Sequence, residues 1–281
     1  MKKIFEQYKE QFAPLSLKDI KWIRNKKYLL DLEKLKIDEH FSIVESKIYL
    51  HFYFGDFFLI SHNEIAYFTN KSLNKKEIEL LYTFLYPALL YLNNILPFHS
   101  SAVALNGKSY LFCADSGVGK STLAFASQNF LNATILCDDI SPVQIGKKIN
   151  VIKNTTVVNL NNESLFFFKL KKSVNNEHKK KVLIDIKNQS ENKLKAIFIL
   201  SRSSNKKMTV KEIKGNKKFQ TINNQLFRIR YYNSIPELKI RLFPLLVNLS
   251  RMIPVYELCL SDQNSIVDTL KFFTHVLDKE Y

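Results

Sequence analysis

The stretch ADSGVGKST, residues 114–122, constrains this chain more than any other, because glycine is otherwise scarce. There are 6 Gly among 281 residues, and two of them, Gly117 and Gly119, lie within it. Ala-x4-Gly-Lys-Ser is the phosphate-loop pattern. Its glycines let backbone N–H groups converge on phosphate oxygens while the following helix turns its positive end toward the same charge. Such a loop needs an apolar strand before it and an amphipathic helix after it, and YLFCA and LAFASQNFL supply these in order. Lys120 is placed to reach the β- and γ-phosphates of a nucleotide and Ser121 to offer its hydroxyl to Mg²⁺. Asp115, Ser116, Gly117, Val118, Gly119 and Thr122 complete the predicted cradle.

The rest of the chain divides around this loop. Residues 3–12 and 15–36 carry apolar positions at helical spacing, with Pro14 between them. FSIVE, KIYLHFYF and DFFLIS then read as a small antiparallel sheet with a hairpin near Gly55-Asp56. A helix over about 75–93 follows, with Asn74 as N-cap and Glu77 three residues on. The second region opens with FHSSAVALNGKSYLFCA, a predicted hairpin turning at Asn106-Gly107, the dipeptide a type I′ turn favours. After the loop and its helix come short strands at ATILC, through 143–160 and at 181–186. Stronger strands lie at LKAIFILS and IPVYELCL, before a closing helix near 263–278. The resulting division is 1–97, a small α+β region, and 98–281, an α/β region holding the loop.

Composition narrows the function classes. Hydrophobic residues at 46% and charged residues at 24% suit a globular chain with a real core. Three cysteines are too few and too widely spaced for a disulfide framework or a zinc knuckle, which points to a reducing, cytoplasmic setting. MKKIFEQYKEQF lacks the apolar run of a secretory signal. LLYTFLYPALLYL, residues 80–92, is shorter than the roughly 18 residues a membrane span requires and reads as a buried helix. The net charge of +16 attracts anions, but the lysines are scattered and no nucleic-acid-binding signature accompanies them. Nucleic acid and membrane are therefore not the expected partners.

Reaction chemistry comes from the residues flanking the loop. No NKxD-type guanine reader and no LSGGQ-like signature follow it. Asp138 and Asp139 do follow, at the end of an apolar strand and 18 and 19 residues after Lys120. One carboxylate there can hold Mg²⁺ and the other can accept or orient the proton of an attacking hydroxyl, with either assignment open. The hairpin brings His99 back toward the phosphates as a donor. A cation must also neutralise transition-state charge. Lys180 and Arg202 are the favoured candidates, with Lys181, Arg228 and Arg230 as others.

His99, ADSGVGKST and CDD, in this order and spacing, resemble the HPr kinase/phosphorylase superfamily. The likeness is close over about residues 98–145 and looser to the chain end through KAIFILSR and IPVYEL. It implies a P-loop core of the type shared with phosphoenolpyruvate carboxykinase, transfer of phosphate to a serine hydroxyl, and an active site of His99, Lys120, Ser121, Asp138 and Asp139. An EIRG-like signature is absent from VIKNTTVVNLNNESL, and Thr122 stands where those loops usually carry an acidic residue. The layout is more similar to HPr-kinase-like enzymes of peptide natural-product clusters, some of which phosphorylate a lasso-peptide precursor. The expectation is thus an ATP- and Mg²⁺-dependent kinase acting on a serine-containing peptide or protein. A small-molecule kinase, a nucleotide-sensing module without transfer and a nucleic-acid-dependent ATPase are its rivals. The residues leave open whether the chain works as a homo-oligomer.

Overall fold

A computed structural model describes residues 20–24, 40–69, 71–154, 157–170, 179–183, 192–205 and 207–279. The chain is a mixed α/β protein, with three sheets among the described residues. Its described residues group into two compact units, Met1–Pro97 with Phe227–Leu245, and Phe98–Leu226 with Leu246–Tyr281.

The first unit carries a five-stranded sheet in the order β1-β5-β4-β3-β2. Its strands are β1 (Lys21–Arg24), β2 (Phe41–Val44), β3 (Lys47–Phe52), β4 (Gly55–Leu59) and β5 (Glu64–Thr69). Neighbours are antiparallel except β1, which runs parallel to β5 with Trp22 opposite Ile65. Helical spacing over 15–36 therefore fails at residues 21–24. Trp22 and Ile23 suit a pleated surface, and the open edge of β5 offers a ladder that a local helix would forgo. The remainder of the two predicted N-terminal helices lies outside the described residues. The hairpin also turns earlier than expected, at residues 53–54, because Phe52 pairs with Gly55. Gly55 is needed where β4 meets β5: a Cβ there would stand 2.5 Å from the Phe68 carbonyl oxygen.

Helix α1 (Lys75–Leu92) starts where the sequence places it. The Asn74 side chain accepts from the Glu77 N–H at 3.1 Å, and the Glu77 carboxylate accepts from the Asn74 N–H at 2.9 Å. This reciprocal cap satisfies two otherwise orphaned donors. Most of the apolar run 80–92, including Leu81 and Phe84–Tyr91, is buried in this helix as expected. Residues 227–245 return to the same unit: the Arg228 guanidinium lies 3.6 Å from the Phe84 ring centre, and Tyr91 donates to the Phe227 carbonyl at 2.9 Å.

The second unit holds the eight-stranded sheet, ordered β10-β9-β6-β7-β13-β15-β14 with β8 paired to β6. These strands are β6 (Ile95–Leu105), β7 (Lys108–Cys113), β8 (Thr134–Cys137), β9 (Ile140–Ile145), β10 (Ile149–Val151), β13 (Lys193–Ser203), β14 (Thr209–Ile213) and β15 (Val255–Ser261). A separate hairpin pairs β11 (Val157–Asn161) with β12 (Lys179–Leu183). At the β6–β7 turn Asn106 and Gly107 both have positive φ, 50° and 73°, as a type I′ turn requires. Helix α2 (Lys120–Leu131) follows β7, α3 (Asn162–Phe167) follows β11 and α4 (Gly215–Asn224) follows β14, whereas α5 (Ile229–Ser234) and the first part of α6 (Pro236–Met252) belong to the first unit. The closing helix α7 (Ile266–Asp278) begins on a Ser265–Asp268 capping box. Its Phe273 ring meets Phe112 and Phe198 edge-on at 5.2 and 5.4 Å, which pins α7 to the sheet centre. No described helix is long and apolar enough to cross a membrane.

Strand direction decides where chemistry can sit. β7, β13 and β15 are parallel, so Cys113, Arg202 and Ser261 all lie toward the carboxyl end of the sheet. β6 is antiparallel to β7, so its first half, with His99 to Ser101, returns to that same end. Open α/β sheets bind ligands there.

Candidate functional site

The loop after β7 delivers its backbone through two glycines that no other residue replaces cheaply. Gly117 has φ 90° and Gly119 φ 118°, both forbidden ground for a residue with a Cβ. Gly119 is also the N-cap of α2, and a Cβ on it would meet Arg202 Nη2 at 3.2 Å. Lys120 is buried at 8% exposure, and its ammonium donates to the carbonyls of Ala114 at 2.7 Å and Asp115 at 3.2 Å. That places the cation at the positive end of α2, beside the loop it closes.

β8 lies antiparallel to β6, with Cys137 opposite Ala102, and so carries Asp138 in beside Ser101. The Asp138 carboxylate accepts from Ser101 Oγ at 2.7 Å, Ser121 Oγ at 2.8 Å and the Asn159 N–H at 2.9 Å. Burial pushes its carboxyl above the ordinary value of 3.8, against those three hydrogen bonds, which pull it down. The chain then reverses at once. Ile140 N–H donates to the Asp138 carbonyl at 3.0 Å around Asp139, whose φ is 73°. This is a γ-turn of the strained, positive-φ hand. It turns Asp138 inward and Asp139 outward, where the Asp139 carboxylate is half exposed and 3.5 Å from His99 Nε2. His99 is held by its backbone N–H, which donates to the Gln225 carbonyl at 2.8 Å.

These residues surround one small open cleft of about 60 Å³, lined by His99, Ser116, Gly117, Gly119, Lys120, Ser121, Thr122 and Asp139. Asp115 and Val118 contribute carbonyls behind it. Val118 accepts from Arg202 Nε at 2.8 Å, and Arg202 Nη1 pairs with Asp262 at 3.2 Å. Arg202 thus stands against the loop. Lys180 sits on β12 opposite Leu160, and its side chain lies outside the described residues. Arg228 covers the Phe84 ring in the other unit.

Three further participants were not singled out from the sequence. Ser101 shares a face of β6 with His99, two residues apart. Asn159 and Asn161 share the face of β11 opposite Val158 and Leu160, and both line the cleft. The alternation V-N-L-N was the available signal. Thr122 also pairs with Ser164 at 2.8 Å, and Asn161 caps α3 by accepting from the Ser164 N–H at 2.9 Å.

Among the described residues no three His, Cys, Asp or Glu side chains gather into a metal cage. The donors present are a hydroxyl and a carboxylate, Ser121 and Asp138, in direct contact. That set fits Mg²⁺, which takes one or two protein oxygens and completes its shell with phosphate and water.

No family model and no curated protein matches the chain. Among solved structures, the HPr(Ser) kinase/phosphatase from Coxiella burnetii aligns with 66% of this chain and 99% of its own, at 10% identity and a TM-score of 0.35. The likeness is a distant one.

Proposed function

We propose that this chain is a Mg²⁺- and ATP-dependent kinase that transfers the γ-phosphoryl group to a serine hydroxyl of a peptide or protein. The observation that carries the reading is the split of the acidic pair. Asp138 is buried against the loop's own Ser121, while Asp139 is turned into the cleft by a strained backbone. Strain of this kind costs on the order of 1–3 kcal/mol and survives where the surroundings enforce it.

The backbone N–H groups of residues 116–121 and the Lys120 ammonium receive the β- and γ-phosphates. Ser121 and Asp138 would hold Mg²⁺, which when bound neutralises charge on the phosphate oxygens. Asp139 orients the acceptor hydroxyl and takes its proton as the serine Oγ–phosphorus bond forms and the bond to the β-phosphate oxygen breaks, releasing ADP. A carboxylate is a weak base at neutral pH, so orientation is its larger contribution. His99, facing Asp139 across the cleft, donates to a phosphate oxygen. Arg202, already on the Val118 carbonyl, adds positive charge beside the loop. A cytoplasmic setting and a precursor peptide as acceptor belong to the same reading through the sequence resemblance.

Incubation with γ-labelled ATP, Mg²⁺ and candidate acceptors tests this. Acid-stable, alkali-labile label on serine in a peptide or protein is the expected result. Label in a metabolite would make the chain a small-molecule kinase, and nucleotide binding with no transfer would make it a sensing module.

A further inference from the structure

The second unit contains another cleft, at the opposite end of the strand–loop–helix that builds the phosphate site. It lies under the tip of the β6–β7 hairpin. The last residue of α2, Leu131, and the final turn of α7 form its other walls. β7 is six residues long, so its two ends are separated by about 17 Å at roughly 3.3 Å per residue. The cleft therefore does not belong to the phosphate site.

Its volume is about 290 Å³. A cavity of roughly 150 Å³ accommodates benzene, so there is room here for a ligand of about ten non-hydrogen atoms. The walls are divided by chemistry. Leu105, Leu131, Leu277 and the Tyr110 ring are apolar, whereas Lys108 and Asp278 bring opposite charges. Both charged side chains line the cleft, yet neither has an ion-pair partner among the described residues. Tyr110 is only 6% exposed.

The electrostatics select the ligand. Leu131 ends α2 and Asp278 ends α7, so two helix carboxyl ends, each with a partial negative charge, converge on one side. With the Asp278 carboxylate they favour an ammonium group and oppose a phosphate-rich ligand. Lys108 stands ready for a carboxylate. We propose that this cleft binds a small zwitterion with an apolar body, an α-amino acid with a hydrocarbon side chain. Its ammonium group lies at Asp278 and the helix ends, its carboxylate at Lys108, and its side chain among the three leucines.

Calorimetric titration of the full chain with each proteinogenic amino acid tests the site without reference to kinase activity. Two half-ligands separate the poles, isoamylamine without a carboxylate and isovalerate without an amine. Saturable binding of L-leucine or a similar apolar amino acid is expected, with each half-ligand about tenfold weaker or worse. Asp278→Ala should weaken L-leucine about tenfold and leave isovalerate unchanged. Lys108→Ala should weaken L-leucine equally and leave isoamylamine unchanged. Both positions are exposed, so the variants should fold. ATP affinity should be unaffected in both. No saturable binding of any amino acid at about 10 mM, or binding indifferent to both charge variants, overturns the proposal.

Discussion

The γ-turn at Asp139 makes a prediction whose sign is unusual. At ordinary backbone positions alanine is more stabilising than glycine by about 0.4–1 kcal/mol, because glycine leaves the unfolded chain more freedom. Asp139 has φ 73°, in the left-handed region. A Cβ there costs about 1–2 kcal/mol, which glycine avoids. The two effects oppose each other and strain is the larger, so Asp139→Gly should be more stable than Asp139→Ala by about 0.5–1 kcal/mol. The contact with His99 does not blur the comparison: it spans 3.5 Å between partly exposed groups, and both variants lose it equally. Thermal unfolding monitored by circular dichroism should place the glycine variant about 1–4 °C above the alanine variant. Neither should transfer phosphate. Equal melting temperatures, or alanine above glycine, would refute the strain and with it the claim that backbone geometry aims this carboxylate.

Other consequences are simpler to state. Burial holds the Asp138 carboxyl above 3.8, so the native state takes up a proton more readily than the unfolded chain. In metal-free buffer the wild type should therefore gain stability relative to Asp138→Asn as pH falls through the interval above 3.8, with a constant gap at higher pH. Urea unfolding across that range reads the slope, and a gap moving the other way contradicts it. Gly119→Ala should lower the melting temperature by an amount matching about 1–3 kcal/mol, since its Cβ meets strain and Arg202 together. Gly146→Ala, whose nearest neighbour is 3.8 Å away, should be nearly neutral. Removing the α1 cap with Asn74→Ala should cost about 1 kcal/mol in denaturant unfolding.

What was legible in the sequence was whatever local chemistry determines. The Asn106-Gly107 turn, the Asn74–Glu77 capping box and the loop with its strand and helix each carry their cause within a few residues. Their placement held. The strand at residues 21–24 did not announce itself, because its cause is the open edge of β5, more than forty residues away. The return of residues 227–245 to the first unit is likewise a long-range fact, carried by Arg228 on Phe84 and Tyr91 on the Phe227 carbonyl. At the site, Lys120, Ser121, Asp138, Asp139 and His99 were named from type and order alone, and the folded chain gathers them at one end of the sheet. Ser101 and Asn159 were missed because their contribution is to hold Asp138, and such support becomes visible only once β6, β8 and β11 are set side by side.

The central claim is that Asp139 serves the transferred group's acceptor while the loop, Lys120 and Asp138 serve the nucleotide. Asp139→Asn separates the two, since asparagine tolerates the left-handed backbone and keeps the side chain's shape. Calorimetry should give an affinity for Mg·ATP within about threefold of wild type, while single-turnover transfer from γ-labelled ATP falls by about a hundredfold or more. Full transfer activity in Asp139→Asn, or loss of nucleotide binding alongside activity, would contradict that division of labour.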